Sequence, residues 1–311
     1  MATFLVGSRA SNLARAQVRD YLAPFRERFP EHTFTQRVIL EGGDRDRHSL
    51  LADVSAVSGG SAFSTEQEAA LVRGDVDVVV HSLKDLPTAN PTGLMLLRPP
   101  AREDVRDALC GSTLAGLRKG ARVGTGAARR TAQLLAVRPD LDIVPIRGNV
   151  PTRLQKLAGM RLDAVVLAAA GLRRLGLESA IGELLPLDLF PPSPGQGALG
   201  IQVREDSMPI RAVLSTAGSA AVDAEVRAER ALLADLHGGC SVPVGAYAET
   251  LADGSLTLFA QVTSVDGGQR VTGRRSGPAT DPEQLGRTLA EDLIDRGARV
   301  ILDGIRPPAA V

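Results

Sequence analysis

The chain has 311 residues, 44% of them apolar, which is material for two or three domains with real cores. Lysine plus arginine (36) equals aspartate plus glutamate (36), and this zero balance argues against a nucleic-acid or membrane-surface binder, which would carry a global basic excess. There is no tryptophan for base stacking, two cysteines make no disulfide framework, four scattered histidines offer no metal-ligand spacing, and no apolar run approaches a membrane span, so a cytoplasmic, soluble, metal-free protein is expected.

In chain order, 2–7 reads as a strand, 10–29 as a helix closed by Pro30, and 33–40 as a strand. A loop rich in Gly, Ser and Asp runs to about 61, followed by a helix over 65–73, a buried strand over 76–80 and a strand over 94–98. Such alternation implies an α/β fold with a parallel-rich sheet and covering helices. A proline-bearing connection at 99–104 leads to a second α/β series: strand 121–124, helix 128–137, strand 141–146, helix 152–157 and strand 163–170. A second proline connection, 190–195, precedes a strand over 197–203. Two such connections suggest a double crossover, with 1–99 and 197–218 forming a discontinuous domain 1 and 100–196 a domain 2, the layout of a hinged two-domain binding cleft. A long helix over 222–236 then stops at Gly238-Gly239, and period-two strands follow at 242–249, 255–263 and 269–275. Asp281-Pro282-Glu283-Gln284 reads as an N-cap, first-turn proline and capping-box partner, with Leu285, Leu289, Leu293 and Ile294 on one face. Residues 219–311 are therefore expected to form a small α+β domain, a three-stranded sheet with helices.

Four strands run into small-residue loops with a cation at the exit. Arg9 follows the first strand, Lys84 follows 76–80, Arg129 and Arg130 follow 122–126, and Arg147 and then Arg153 follow 143–146. Each junction turns helical, so the cations lie near helix N-termini, where a cation loses about 0.3–1 kcal/mol. The placement makes sense if an anion is held there by backbone N–H groups and the cations together, beyond the carboxyl ends of the strands. Single arginines are mostly solvated surface charges. That reading weakens for Arg129, Arg130, Arg147 and Arg153, which share one expected sheet edge. Thr125-Gly126-Ala127-Ala128-Arg129 belongs to neither a Walker loop nor a dinucleotide fingerprint, which favours carboxylates over nucleotides as the ligand.

Asp85, in His81-Ser82-Leu83-Lys84-Asp85-Leu86-Pro87, is the one carboxylate expected among these cations. Alone it reads as a Lys–Asp turn before proline. Among cations it suits the neutralisation of a positive charge that develops during reaction, and it can accept hydrogen bonds from ligand N–H groups. A Ser82–His81 hydrolase is weak, because no nucleophile elbow surrounds Ser82. Cys110 reads as a small core residue, whereas Cys240, on a turn after two glycines, is a candidate for covalent attachment or nucleophilic work.

Five segments resemble those of the porphobilinogen deaminase (hydroxymethylbilane synthase) family, in that family's order and across nearly the whole chain. They are His81–Pro87 as quoted, Arg147-Gly148-Asn149-Val150-Pro151-Thr152-Arg153-Leu154, Ala170-Gly171-Leu172-Arg173-Arg174-Leu175-Gly176, Pro194-Gly195-Gln196-Gly197-Ala198, and Gly238-Gly239-Cys240-Ser241-Val242-Pro243-Val244-Gly245. The resemblance implies two domains hinged like periplasmic binding proteins and a third that carries a cysteine. That cysteine, Cys240 here, would hold a dipyrromethane cofactor through a thioether, the cofactor being assembled from the substrate, porphobilinogen. The resemblance further implies that Arg9, Ser11, Lys84, Arg129, Arg130, Arg147, Arg153 and Arg174 receive the acetate and propionate arms of the pyrroles. Phe63, Ser82, Thr125, Gly126, Ala169, Gly171 and Gln196 complete the expected binding set. Asp85, with Lys84 beside it, would be catalytic, contacting pyrrole nitrogens, assisting loss of ammonia and stabilising the azafulvenium cation. The expected protein is a monomer that acts on a small molecule without nucleic acid or membrane.

The chain departs from the family pattern in four places. Gly59-Gly60-Ser61-Ala62-Phe63 lacks the lysine of the usual Gly-Gly-Lys-Gly-x-Phe, Ser64-Thr65-Glu66 lacks the basic residue that usually follows, Glu41 stands where a threonine is usual, and Gly126-Ala127 replace paired serines. Two rival readings follow: a paralogue acting on a modified pyrrole, and a non-catalytic polycarboxylate sensor. A sensor would need neither Asp85 nor Cys240.

Overall fold

The computed structural model describes residues 1–42, 64–236 and 242–304. The chain divides into two compact units, Met1–Glu103 with Gly197–Asp223, and Asp104–Gln196 with Ala224–Val311.

The first unit holds β1 (Thr3–Ser8), β2 (Thr33–Val38), β3 (Val78–Ser82), β4 (Leu94–Leu97) and a late arrival, β10 (Leu199–Arg204), in the order β2-β1-β3-β10-β4. β1 is parallel to β2 and β3, and β10 runs antiparallel between β3 and β4. Val78, Val79 and Val80 are all buried, as expected of a strand covered on both faces. Helix α1 (Asn12–Arg28) opens on Ser11, whose hydroxyl accepts from Ala14 N at 3.2 Å. Such a cap is worth about 1 kcal/mol. Ala14, Ala16, Val18, Tyr21, Leu22 and Phe25 are its buried apolar positions, and Pro24 is tolerated inside it on the exposed side. Helix α2 (Thr65–Arg73) covers Val76 and Val79 through Ala70 and Leu71.

The second unit holds β5 (Asp107–Cys110), β6 (Arg122–Thr125), β7 (Asp142–Pro145), β8 (Ala164–Ala168) and β9 (Ile181–Leu184), in the order β7-β6-β8-β5-β9. β6 is parallel to β7 and β8, while β5 is antiparallel to β8 and β9. The two sheets thus share one plan: three parallel strands, then an antiparallel strand in fourth place. In the first unit that strand is supplied by the returning chain, which is the expected double crossover. Helices α3 (Ala128–Val137), α4 (Val150–Gly159) and α5 (Ala169–Arg174) follow β6, β7 and β8.

Helix α6 (Met208–Leu214) belongs to the first unit, and α7 (Ala220–Asp235) leads into the antiparallel meander β11 (Val244–Thr250), β12 (Ser255–Thr263) and β13 (Arg270–Pro278). Helices α8 (Pro282–Leu293) and α9 (Arg299–Asp303) pack on this sheet, where Leu232, Leu256, Leu258, Val262, Leu285, Leu289 and Leu293 form the core. The meander also meets the middle sheet's connection, since Ala246 N donates to Pro192 O at 2.8 Å.

Several expectations need correction. β8 stops at Ala168, and Ala169 and Ala170 open a helix instead of extending the strand. Strands β5 and β9 and helix α6 were not expected. Pro282 does begin α8, but the Asp281 side chain makes no capping bond. No helix among the described residues is long and apolar enough to cross a membrane.

Candidate active site

In the first unit, β1 and β3 lie side by side, and their carboxyl ends deliver Arg9 and the 3₁₀ turn Leu83–Asp85 to one edge of the sheet. The turn is anchored by Leu83 N, which donates to Ala198 O, and by Leu86 N, which donates to Leu83 O, both at 3.1 Å. Arg9 Nη1 stands 4.0 Å from Asp85 Oδ2, with the two side chains 23% and 33% exposed. Both groups are therefore within reach of a ligand. Ser82 Oγ accepts from Gln17 Nε2 at 2.8 Å, while Ser11 is engaged as the α1 cap. Lys84 is half-buried beside Asp85.

His81 cannot act as a base for Ser82. It is buried, and burial pushes its imidazole down to about 3, with the charge of Arg9 acting in the same direction. Glu41 is a second carboxylate near this edge, 1% exposed. It accepts from Gln67 N at 2.9 Å, Glu66 N at 3.2 Å and Gln67 Nε2 at 3.2 Å, so it caps α2 from a distant segment. Burial raises its carboxyl above the usual range, partly offset by these bonds and by Arg9.

In the second unit, the parallel neighbours β6 and β7 end at Thr125 and Pro145, which brings the starts of α3 and α4 to one edge. Arg147 and Arg153 are half-buried there, with Arg153 Nε donating to Gly148 O at 2.7 Å and Lys156 Nζ to Arg147 O at 2.8 Å. Arg174 ends α5 one short helix beyond β8, and Ala169 and Gly171 lie buried within α5. Thr125 is buried and Gly126 exposed. A Cβ on Gly126 would lie 2.5 Å from the Ile146 carbonyl oxygen, so a side chain there requires the backbone to move.

The double arginine is placed differently from expectation. Arg129 and Arg130 are only 5% and 6% exposed, and both face Asp107, at 2.8 and 2.7 Å. Arg129 also donates to Gln133 Oε1 and Pro191 O, both at 2.9 Å, and Arg130 to Val166 O at 3.0 Å. Gln196 Nε2, fully buried, donates to the same Asp107 at 2.9 Å and to Val105 O at 2.8 Å. Burial alone would push the Asp107 carboxyl up. The two guanidiniums, with the bonds from Arg130 and Gln196, override that and hold it well below the usual carboxylate range. The expectation that Asp85 is the one carboxylate among the cations is therefore corrected: Glu41 lies near the cations of the first unit, and Asp107 stands among those of the second. Asp107 was missed because it opens a strand of four residues that carries no periodic signal.

Helices α1, α3, α4 and α5, which follow the strand exits, carry no acid in their first turns, whereas α2 and α8 do. Acid-free N-termini with cations beside them are built to receive anions. Cys240, Phe63 and the 58–62 departure lie outside the described residues.

This fold and these edges define a double-crossover α/β protein equipped for a polyanionic ligand. The model of "Porphobilinogen deaminase, dipyromethane cofactor binding domain" matches residues 4–212, and that of "Porphobilinogen deaminase, C-terminal domain" matches 224–295. The chain belongs to the porphobilinogen deaminase family. Relatives named porphobilinogen deaminase include those of Citrifermentans bemidjiense, 46% identical over 96% of this chain and 93% of that one, and Geotalea uraniireducens, 45% identical over 97% and 94%. A third, from Desulforudis audaxviator, is 44% identical over 98% of both chains.

Proposed function

We propose that the chain is a hydroxymethylbilane synthase, a transferase that deaminates four porphobilinogen molecules, joins them head to tail on a primer linked to Cys240, and hydrolyses off linear hydroxymethylbilane. The observation that carries this reading is Asp85, part-exposed 4.0 Å from Arg9 and beside Lys84, in a chain of this family.

The donor set fits a dipyrromethane group. Its rings bear acetate and propionate arms; half-buried Arg9, Arg147 and Arg153 stand at strand exits beside acid-free helix N-termini, while half-buried Lys84 lies in the turn after β3 and half-buried Arg174 ends α5. When bound, that group supplies the free α-carbon to which the first substrate is joined. Asp85 accepts the pyrrole N–H of the incoming porphobilinogen and offsets the cation left on that substrate as ammonia departs. Arg9 keeps the Asp85 carboxylate oriented and sets a part-exposed guanidinium where a ligand carboxylate can meet it. His81, neutral and buried, moves no proton. Within this reading, residues 219–311 act as the cofactor-bearing module, and the protein works as a cytoplasmic monomer.

Steady-state turnover of porphobilinogen, with intact mass of the purified chain, tests the proposal. The expected result is release of hydroxymethylbilane by a chain heavier than its sequence by one dipyrromethane. A chain of sequence mass that leaves porphobilinogen unchanged removes the reading. Turnover of a modified pyrrole alone identifies the paralogue.

A further inference from the structure

In the second unit Arg129, Arg130 and Gln196 are tied to one another and to the C-terminal sheet by two buried carboxylates. Arg129, Arg130 and Gln196 each place a nitrogen within 2.9 Å of Asp107, which is 1% exposed. Gln196 follows Gly195, whose positive φ of 75° turns its N–H toward Glu229 Oε2 at 2.7 Å. The other oxygen of Glu229, on α7, accepts from Ala248 N in β11 at 2.7 Å. Earlier in the same connection, Pro191 O accepts from Arg129 and from Gln133, and Pro192 O accepts from Ala246 N. The 191–196 connection is thus gripped by the meander on one side and by the arginine pair on the other.

We infer that Asp107 and Glu229 are positioning residues of one relay, joined through Gly195 and Gln196, by which the C-terminal sheet sets the placement of Arg129 and Arg130 and so the affinity for ligand carboxylates. The inference rests on the function proposed above. Neither carboxylate is exposed to meet a ligand, since Glu229 is fully buried and Asp107 is 1% exposed. Each acts through the groups it holds. A buried carboxylate deprived of one donor remains uncompensated in a low-dielectric interior, so the connection shifts rather than leave it so. A single carboxylate shared by two guanidiniums fixes their spacing, because without it like charges face each other at close range.

The test uses the full-length, cofactor-loaded protein, assayed well below its unfolding temperature. Glu229→Gln keeps the shape but replaces one acceptor oxygen with an amide nitrogen that cannot serve both backbone N–H groups. It is expected to raise KM for porphobilinogen roughly fivefold while kcat stays within about twofold, and Asp107→Asn to raise KM further. Gln196→Leu cuts the same relay, so the Glu229→Gln/Gln196→Leu double variant should be no worse than the worse single. Unchanged KM with a lowered unfolding temperature, or KM effects that multiply in the double variant, overturns the relay. If Glu229→Gln does not fold, the same comparison is made between Gln196→Leu and Asp107→Asn, with multiplying effects again fatal.

A readout independent of turnover is the ¹⁵Nε–H resonance of Arg130, whose Nε is buried with no hydrogen-bond partner among the described residues. Glu229→Gln should shift it, although Glu229 lies on a different element. An unmoved resonance sinks the relay even if the wild type turns over no porphobilinogen. Absence of wild-type turnover with a shifted resonance sinks the functional reading alone.

Discussion

Arg9 Nη1 and Asp85 Oδ2 face each other at 4.0 Å across two neighbouring strand exits, both side chains part-exposed. In water such a pair contributes only about 0–1 kcal/mol to folding, so stability does not account for its place at this edge. Asp85→Ala is expected to lower kcat by about 10²–10³ or more, while the unfolding temperature barely changes. Steady-state assay alongside thermal unfolding checks both halves. A folded Asp85→Ala protein with near-normal turnover would remove the aspartate from the mechanism.

The buried imidazole of His81 gives stability a pH dependence of definite sign. The unfolded chain takes up this proton near pH 6.5, whereas the folded chain refuses it until about pH 3. The contribution is therefore fully present above pH 6.5 and is lost as the pH falls toward 3, with a slope approaching about 1.4 kcal/mol per unit. Glu41 and Glu68, raised by burial, act in the opposite sense as they protonate in the folded state. Comparison with His81→Gln cancels those terms. Urea midpoints at pH 7 and pH 5 should show the wild type losing stability relative to the variant, and a constant difference would mean that the fold leaves His81 to titrate as it does in the unfolded chain.

Gly126 is required by its neighbour. The Ile146 N–H donates to Thr125 O at 3.2 Å, which presses the Ile146 carbonyl against position 126, where a Cβ would sit 2.5 Å from its oxygen. Gly126→Ala should destabilise by roughly 1–3 kcal/mol, as overpacking does. Because Arg129 lies three residues on, KM for porphobilinogen should rise as well. Thermal unfolding with steady-state kinetics reads both effects, and an unshifted midpoint would show that the backbone yields freely here.

The sequence exposes what local signals encode. Parallel strands announce themselves as apolar runs such as Val78–Val80, and their exits as small residues followed by cations, so both sheets were legible, as were the edge bearing Arg9 and Asp85 in the first unit and that bearing Arg147 and Arg153 in the second. The boundary between β8 and α5 was not, because Val165 to Leu172 is one apolar stretch whose strand and helix halves have no distinguishing period. Nor could sequence reveal that Arg130 meets Asp107, since the partners stand 23 residues apart and an unexpected antiparallel strand brings them together. Glu41 is the same lesson in the first unit. A departure at one position became a cap for a helix that begins at Thr65, and nothing near Glu41 in the chain signals it.

Cysteine chemistry supplies a count that separates the two thiols. Cys110 is fully buried in β5, and burial pushes its thiol up to about 11, with Arg130 only partly opposing. At pH 8 it is therefore almost entirely protonated and shielded, and an alkylating reagent should leave it untouched in the folded protein. Unfolding exposes it. If Cys240 carries a thioether, denatured wild-type protein should titrate a single thiol although the sequence has two cysteines, and Cys110→Ser should titrate none. Cys240→Ser should still fold, show the sequence mass, and also titrate one thiol. Two thiols in the denatured wild type would mean that nothing is attached to Cys240, and the primer chemistry would have to be abandoned while the fold stood unchanged.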